Sequence, residues 1–198
     1  MTSPLEFPFF SNEECEELKK YAYKKETELK GKTTTSKYNN SATTNNFNQY
    51  NFLEDNPIYA DRIVSLLKKT GCPIEWPIML QSWVNIYRKG DGIGWHYHHG
   101  NGWSFNIFVD GDLSPGPAYI LAGKEGGLEK YDMEIKNFKN KKGYMHIFPS
   151  ATYHKVDPIS SERITVGGTL HHYSSICAKD LNVLSFNSKE KNGYIILS

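Results

Sequence analysis

Residues 146–168 read HIFPSATYHKVDPISSERITVGG. An apolar run ends at Phe148-Pro149, His154 follows just after it, and the chain resumes as RITVGG in a β pattern. On such a strand Arg163 and Thr165, two residues apart, project to one face. An arginine and a hydroxyl so placed can hold a carboxylate, the guanidinium in bidentate fashion. The stretch therefore predicts two strands that bring a histidine and an anion-binding pair into one region.

Outward from it, the chain from Ile78 to about Tyr173 reads as all-β. MLQSWVNIY (79–87) sets Leu80, Ser82, Val84 and Ile86 against Met79, Gln81, Trp83, Asn85 and Tyr87. WSFNIFV, AYILA, YDMEIKNF, GYMHIFP and RITVGGTLHHY are further short strands, and DGDLSPGP, GKEGG and KNKKG supply turns between several of them. Many short strands at this spacing predict a sandwich or a barrel-like jelly roll. The lysine-rich run 124–142 alternates sign and reads as a solvated face.

The segment GWHYHHGNGW (94–103) packs three of the seven histidines into four positions. If it is extended, His96 and His98 share a face and His99 points away. Two imidazoles on one face can chelate a metal, and His154 is a candidate third ligand. Ordinary hydrogen-bonded histidines are the competing reading. Trp95 and Trp103 flank the cluster and are candidate walls. Asn85 and Trp83 share the face of Tyr87, and Ser104 and Asn106 line the cavity or face water. His146, His171 and His172 have no ligand spacing and read as structural or, at most, substrate-facing.

The N-terminal part reads as helical. Ser11 followed by Glu14 forms a capping box, Phe10 and Cys15 sit where a hydrophobic staple would join them, and Cys15, Leu18, Ala22 and Leu29 make an intermittent stripe that Gly31 would stop. A second helix is predicted from Pro57 to Gly71 with Ile58, Ile63, Leu66 and Leu67 on its apolar face. Residues 31–56, rich in Thr and Asn, form a surface loop or a lid containing a short strand. A hairpin is expected near Asn192-Gly193 in the C-terminal extension 174–198.

The chain has 198 residues, enough for a single domain: helical support over about 1–75, a β core over about 76–173, and the extension. A hydrophobic fraction of 38% with 14% aromatics places it among globular sequences. A formal net charge of +1 argues against a strongly basic nucleic-acid surface. Cys15, Cys72 and Cys177 have neither zinc spacing nor a disulfide pattern and read as free thiols in a reducing compartment. With no secretion signal and no run of about 20 apolar residues, a cytoplasmic protein without a membrane partner is expected.

Taken together, these residues resemble the iron(II)- and 2-oxoglutarate-dependent dioxygenases of the double-stranded β-helix (jelly-roll, cupin-like) fold. The likeness is greatest to the small prolyl-hydroxylase-like members of bacteria and phages. Tyr87, Gly90, His96 and His98 fall at that family's spacing, as do Phe148-Pro149, His154, Arg163 and Thr165, and FPFFSNEECEELKKYAY looks like its leading strand and helix. The resemblance implies a mainly β fold with N-terminal helices, Fe(II) held by His96, His98 and His154, and 2-oxoglutarate bound by Arg163 and Thr165 with Tyr87 and Asn85 nearby. It further implies dioxygen as co-substrate and hydroxylation of a peptidyl residue, an amino acid or a small metabolite. One departure stands out: His98 occupies the position at which the family has Asp or Glu. Three alternatives follow from it. One is an altered or inactive metal-binding module. Another is a halogenase-like site with His98 as first ligand and Gly100 opposite a vacant position. The last is a zinc-loaded, non-redox site.

Overall fold

The computed structural model describes residues 4–29, 42–43, 50–71, 78–98, 102–122, 133–172 and 195–197. Eleven strands and three helices lie in it: β1 (Leu5–Pro8), α1 (Asn12–Glu28), β2 (Ala42–Thr43), α2 (Phe52–Asp55), α3 (Pro57–Lys69), β3 (Ile78–Tyr87), β4 (Ile93–His96), β5 (Gly102–Gly111), β6 (Ala118–Ala122), β7 (Met133–Asn137), β8 (Tyr144–Pro149), β9 (His154–Val156), β10 (Arg163–His172) and β11 (Ile195–Leu197).

The strands form two antiparallel sheets. The larger runs β1-β8-β5-β10-β3-β11, with β2 also paired to β3, and the smaller runs β4-β9-β6-β7. From β3 to β10 the chain visits them in the order large, small, large, small, small, large, small, large. That alternation is a jelly roll, the double-stranded β-helix, and it bears out the fold expected from the sequence.

Three layers result. The helices pack on the outer face of the large sheet: Cys15, Leu18 and Ala22 of α1 and Ile63, Val64 and Leu67 of α3 join Leu80, Val84, Ile86, Phe105, Ile107, Val109, Met145, Ile147, Ile164, Val166 and Leu170 in the main core. Strand periodicity then turns Trp83, Asn85, Tyr87, Ser104, Asn106, His146, Phe148, Arg163, Thr165, Gly167 and Thr169 inward, toward the small sheet. A second apolar cluster of Tyr119, Leu121 and Phe148 closes the space between the sheets.

The capping box at Ser11 is present in both directions: Ser11 N donates to Glu14 Oε2 (2.8 Å) and Glu14 N to Ser11 Oγ (3.2 Å). Phe10 and Cys15 are both buried. Helix α1 ends at Glu28 with Leu29 as its C-cap, before Gly31. Helix α3 starts at Pro57 as expected, but its buried face is Tyr59, Ala60, Ile63, Val64 and Leu67, and Ile58 is 66% exposed. Positions 60, 63, 64 and 67 make one stripe, and Ile58 lies about 140° from Ile63 around the axis. In the 31–56 segment the described pieces are β2, which pairs Ala42 with Ile86 and Thr43 with Asn85, and α2, capped by Asn51. Cys72, Cys177, His99, Gly100, the GKEGG turn and the expected turn at 192–193 lie outside the described residues.

Candidate metal centre

The last residue of β4 and the first of β9 are register partners, so His96 and His154 face each other across the small sheet although 58 positions separate them in the chain. His98 follows β4, and its backbone N–H donates to Ser150 O at 2.9 Å, which ties it to the β8–β9 turn. Ring centroids lie 4.1 Å apart for His96 and His154, 5.1 Å for His98 and His154, and 5.4 Å for His96 and His98. One ligand nitrogen from each of the three lies within 4.8 Å of the others. Among the described residues no carboxylate joins this group.

Two of the rings are held in the same way. His96 Nδ1 bonds Gly94 O and His154 Nδ1 bonds Thr152 O, each at 2.9 Å and each to the carbonyl two residues back. A carbonyl only accepts, so Nδ1 carries the proton and the Nε2 lone pair is left for a metal. Burial drives His154 down to about 3, the neighbouring His96 pushes the same way, the Thr152 carbonyl opposes it, and His98 adds a smaller downward push. His154 is therefore neutral, as a ligand must be.

Aromatic walls surround the trio. Tyr119 stacks on His154 at 6.0 Å and Phe148 lies 4.7 Å from it. Trp83 stands 5.9 Å from His98. Its indole lies against Gly167, where an added Cβ would fall 2.8 Å from Nε1 and 3.0 Å from Cε2. A glycine in mid-strand here permits that close approach. The flanking tryptophans expected as walls are elsewhere. Trp103 packs with the main core on the helix side, as its parity with Phe105 and Ile107 dictates. Trp95 is 39% exposed, with Lys155 Nζ 5.3 Å from its ring centre.

The proposed anion-binding residues sit on the facing wall, the inner face of the large sheet. Arg163 is the register partner of Tyr87, and Thr165 that of Asn85. Asn85 Nδ2 donates to Thr165 Oγ1 at 3.2 Å. All four are buried. Arg163 Nε donates to Asp112 O (2.8 Å) and Nη2 to Pro115 O (2.6 Å). Burial lowers its pKa, with Asp112 and Tyr87 pulling the other way. Farther along the wall Ser104 Oγ and Ser150 Oγ bond at 3.0 Å. Thr169 Oγ1 and Thr152 Oγ1 are buried with no hydrogen-bond partner among the described residues. His146 is buried beside Tyr119, whose O–H lies 3.4 Å from its Nδ1, and it takes no part in the trio.

Tyr119 and Asp112 went unnoticed as site residues in the sequence, and Trp83 is placed there on the face of Tyr87 without a role of its own. Asp112 lies in DGDLSPGP, which as sequence is only a turn. For Trp83 the adjacent glycines Gly167-Gly168 in a strand were the available signal.

A jelly roll with a trio of inward histidines at one sheet edge and a buried Arg–Thr pair on the facing wall defines the class: a double-stranded β-helix with a candidate metal site between its sheets. No family model and no curated protein matches the sequence. Solved structures do match in fold. The viral collagen prolyl hydroxylase of Paramecium Bursaria Chlorella virus-1, in its 2OG complex, is 16% identical with a TM-score of 0.60 over 86% of this chain and 97% of its own. A Pseudomonas putida prolyl-4-hydroxylase gives 12%, 0.59, 85% and 92% in the same order. The non-heme alpha ketoglutarate dependent carbocyclase SnoK from nogalamycin biosynthesis gives 10%, 0.62, 98% and 92%. The protein thus has the fold of the 2-oxoglutarate- and Fe(II)-dependent oxygenases. None of the described helices is long and apolar enough to cross a membrane.

Proposed function

We propose that this protein is a non-haem iron(II)- and 2-oxoglutarate-dependent oxygenase that hydroxylates a peptidyl residue, an amino acid or a small metabolite. The observation that carries the reading is the shared space between the two sheets. Three histidines with nitrogens within 4.8 Å gather at the small sheet's edge, and a buried Arg163 with Thr165 stands on the large sheet that faces it. Bound iron and 2-oxoglutarate would supply the oxidising chemistry, in which dioxygen converts 2-oxoglutarate to succinate and carbon dioxide and its second oxygen atom enters a substrate C–H bond.

The chain's own residues do the rest. His96, His98 and His154 hold the metal as neutral donors, with Gly94 O and Thr152 O fixing two of the rings. Arg163 and Thr165 receive the distal carboxylate, with Asn85 orienting the threonine hydroxyl and Tyr87 opposite the arginine. Trp83, Tyr119 and Phe148 keep water from the reacting centre.

The test is succinate formation from 2-oxoglutarate by aerobic, Fe(II)-loaded protein, with His154→Ala and Arg163→Met as controls expected to be inactive. Histidine at the carboxylate position favours one second reading, a metal-binding module without turnover. Tight metal binding with no 2-oxoglutarate consumption would establish that module and overturn the oxygenase. The vacant-site reading takes His98 as first ligand. The register pairing of His96 with His154 supports His96 in that role instead.

A further inference from the structure

We infer that Asp112 is a positioning residue for co-substrate binding, acting through Arg163 by fixing which edge of the guanidinium meets the distal carboxylate; this rests on the oxygenase reading above. The side chain of Asp112 joins two loops. Its Oδ1 accepts from Ser114 N (3.1 Å), and its Oδ2 accepts from Ser160 N (2.8 Å), Ser160 Oγ (2.7 Å) and Ser161 N (3.1 Å). Its own N–H donates to Glu162 O at 2.9 Å. The loop after β5 and the loop before β10 are thereby locked together, and Arg163 is the first residue of β10.

The two carbonyls that hold Arg163 belong to the first of these loops. Nε and Nη2, which bond Asp112 O and Pro115 O, form one edge of the planar guanidinium. The other edge, Nη1 with the second hydrogen of Nη2, is left for a bidentate carboxylate. If the loop shifts, the carbonyls shift and the free edge turns away. Neighbouring contacts brace the loop as well: Asn140 Nδ2 donates to Leu113 O (3.2 Å), and a Cβ at Gly116 would fall 1.7 Å from Phe138 O. Asp112 has a further effect through charge. Its carboxyl is held down to about 2, chiefly by the Ser160 hydroxyl and the Ser114 amide, so it stays ionised close to a buried cation.

The position of Asp112 separates this role from general support. Its carboxylate bonds Ser114, Ser160 and Ser161, all exposed, and it belongs to neither apolar cluster. Its removal should leave the core and the histidine trio in place.

The experiment is anaerobic calorimetry on Mn(II)-loaded full-length protein, titrated with 2-oxoglutarate and with pyruvate, a 2-oxo acid that lacks the distal carboxylate. Asp112→Ala is expected to weaken 2-oxoglutarate about tenfold, Asp112→Asn less, and to change pyruvate affinity by less than about twofold. In an Arg163→Met background Asp112→Ala should have no further effect on 2-oxoglutarate. Equal weakening of both acids, or a changed Mn(II) affinity, would show a merely structural role and overturn the inference. So would unchanged 2-oxoglutarate affinity in Asp112→Ala when the parent binds it. A parent protein that binds no 2-oxoglutarate would remove the oxygenase reading itself. Thermal unfolding of each variant identifies one that has simply failed to fold, and Asp112→Asn then carries the test.

Discussion

Removing the His98 imidazole should cost the protein most of its metal affinity. At a metal–nitrogen distance of about 2.1 Å, donors subtending about 90–109° lie about 3.0–3.4 Å apart. The three nitrogens here lie within 4.8 Å of one another, so closure asks for a movement of about 1.5 Å. Rotation of the imidazoles supplies that without moving the strands, because the backbone is fixed by the His96–His154 pairing and the Ser150 O contact to His98. Structural zinc sites of four ligands bind with about 10–16 kcal/mol, or about 3 kcal/mol per ligand. His98→Ala should therefore lower affinity roughly 100-fold, and His98→Asp should retain or tighten it. The assay is competition with a chromophoric chelator, with the fluorescence of Trp83, 5.9 Å from His98, as a second reporter. Because burial and the neighbouring His96 hold His154 neutral, proton release on binding near pH 6 should come from groups other than His154. An alanine variant with parental affinity would exclude His98 as a ligand and leave a site of His96, His154 and a third donor from elsewhere.

Arg163→Lys exchanges a forked donor for a point charge and should weaken 2-oxoglutarate by about 1.5–3 kcal/mol, roughly 10- to 150-fold, by calorimetry; unchanged affinity would remove Arg163 from that role. Gly168→Ala would set a Cβ 2.1 Å from Phe105 Cζ and 2.7 Å from Gln81 O, and urea denaturation should show a loss of about 3 kcal/mol or more. Gly167→Ala, against Trp83, should cost about 1–3 kcal/mol and alter the metal-dependent fluorescence; equal effects at the two glycines would contradict the assignment of faces. Burial raises Cys15 to about 11, so mass mapping after iodoacetamide at pH 8 should find it unlabelled in the native protein and labelled in denaturant.

The features that were legible in the sequence are those a local pattern can carry. The capping box at Ser11–Glu14, Pro57 at a helix start, and most strand positions follow from spacing of two to four residues. The sharing of one face by Arg163 and Thr165 follows from strand parity, which suggests the same for His96 and His98 although β4 ends at His96. The rest depends on register. Nothing local says that His154 meets His96, or that Thr152 O and Gly94 O take the Nδ1 protons. Strands β3 and β10 are buried along most of their length on both faces, so hydrophobicity does not distinguish the helix side from the cavity side. Trp103 illustrates the error this invites. Its place in the sequence near the histidines suggests a wall, whereas its parity with Phe105 puts it on the opposite face. Asp112 was hidden for a different reason: its bonds are to loop amides, and a turn sequence looks the same whether or not it braces an arginine.

Histidine in place of a carboxylate also changes how metal and co-substrate depend on each other. The proposed ligand set is three imidazoles, His154 is held neutral, and a buried cation, Arg163, stands on the facing sheet. A divalent metal adds two positive charges to this space without a ligand carboxylate to offset them. At about 4 Å and an effective dielectric near 20, one missing charge pair amounts to about 4 kcal/mol. On the proposed reading, dianionic 2-oxoglutarate would supply negative charge at both ends, one at the metal and one at Arg163, so each partner should strengthen the other. The coupling should exceed tenfold, about 1.4 kcal/mol, and by linkage must appear equally whether metal is titrated with and without 2-oxoglutarate or the reverse. In His98→Asp the added carboxylate already offsets part of the charge, so metal binding should tighten while the coupling shrinks. A coupling as large in His98→Asp as in the parent would mean that charge balance does not govern the site, and that the third imidazole acts through geometry alone.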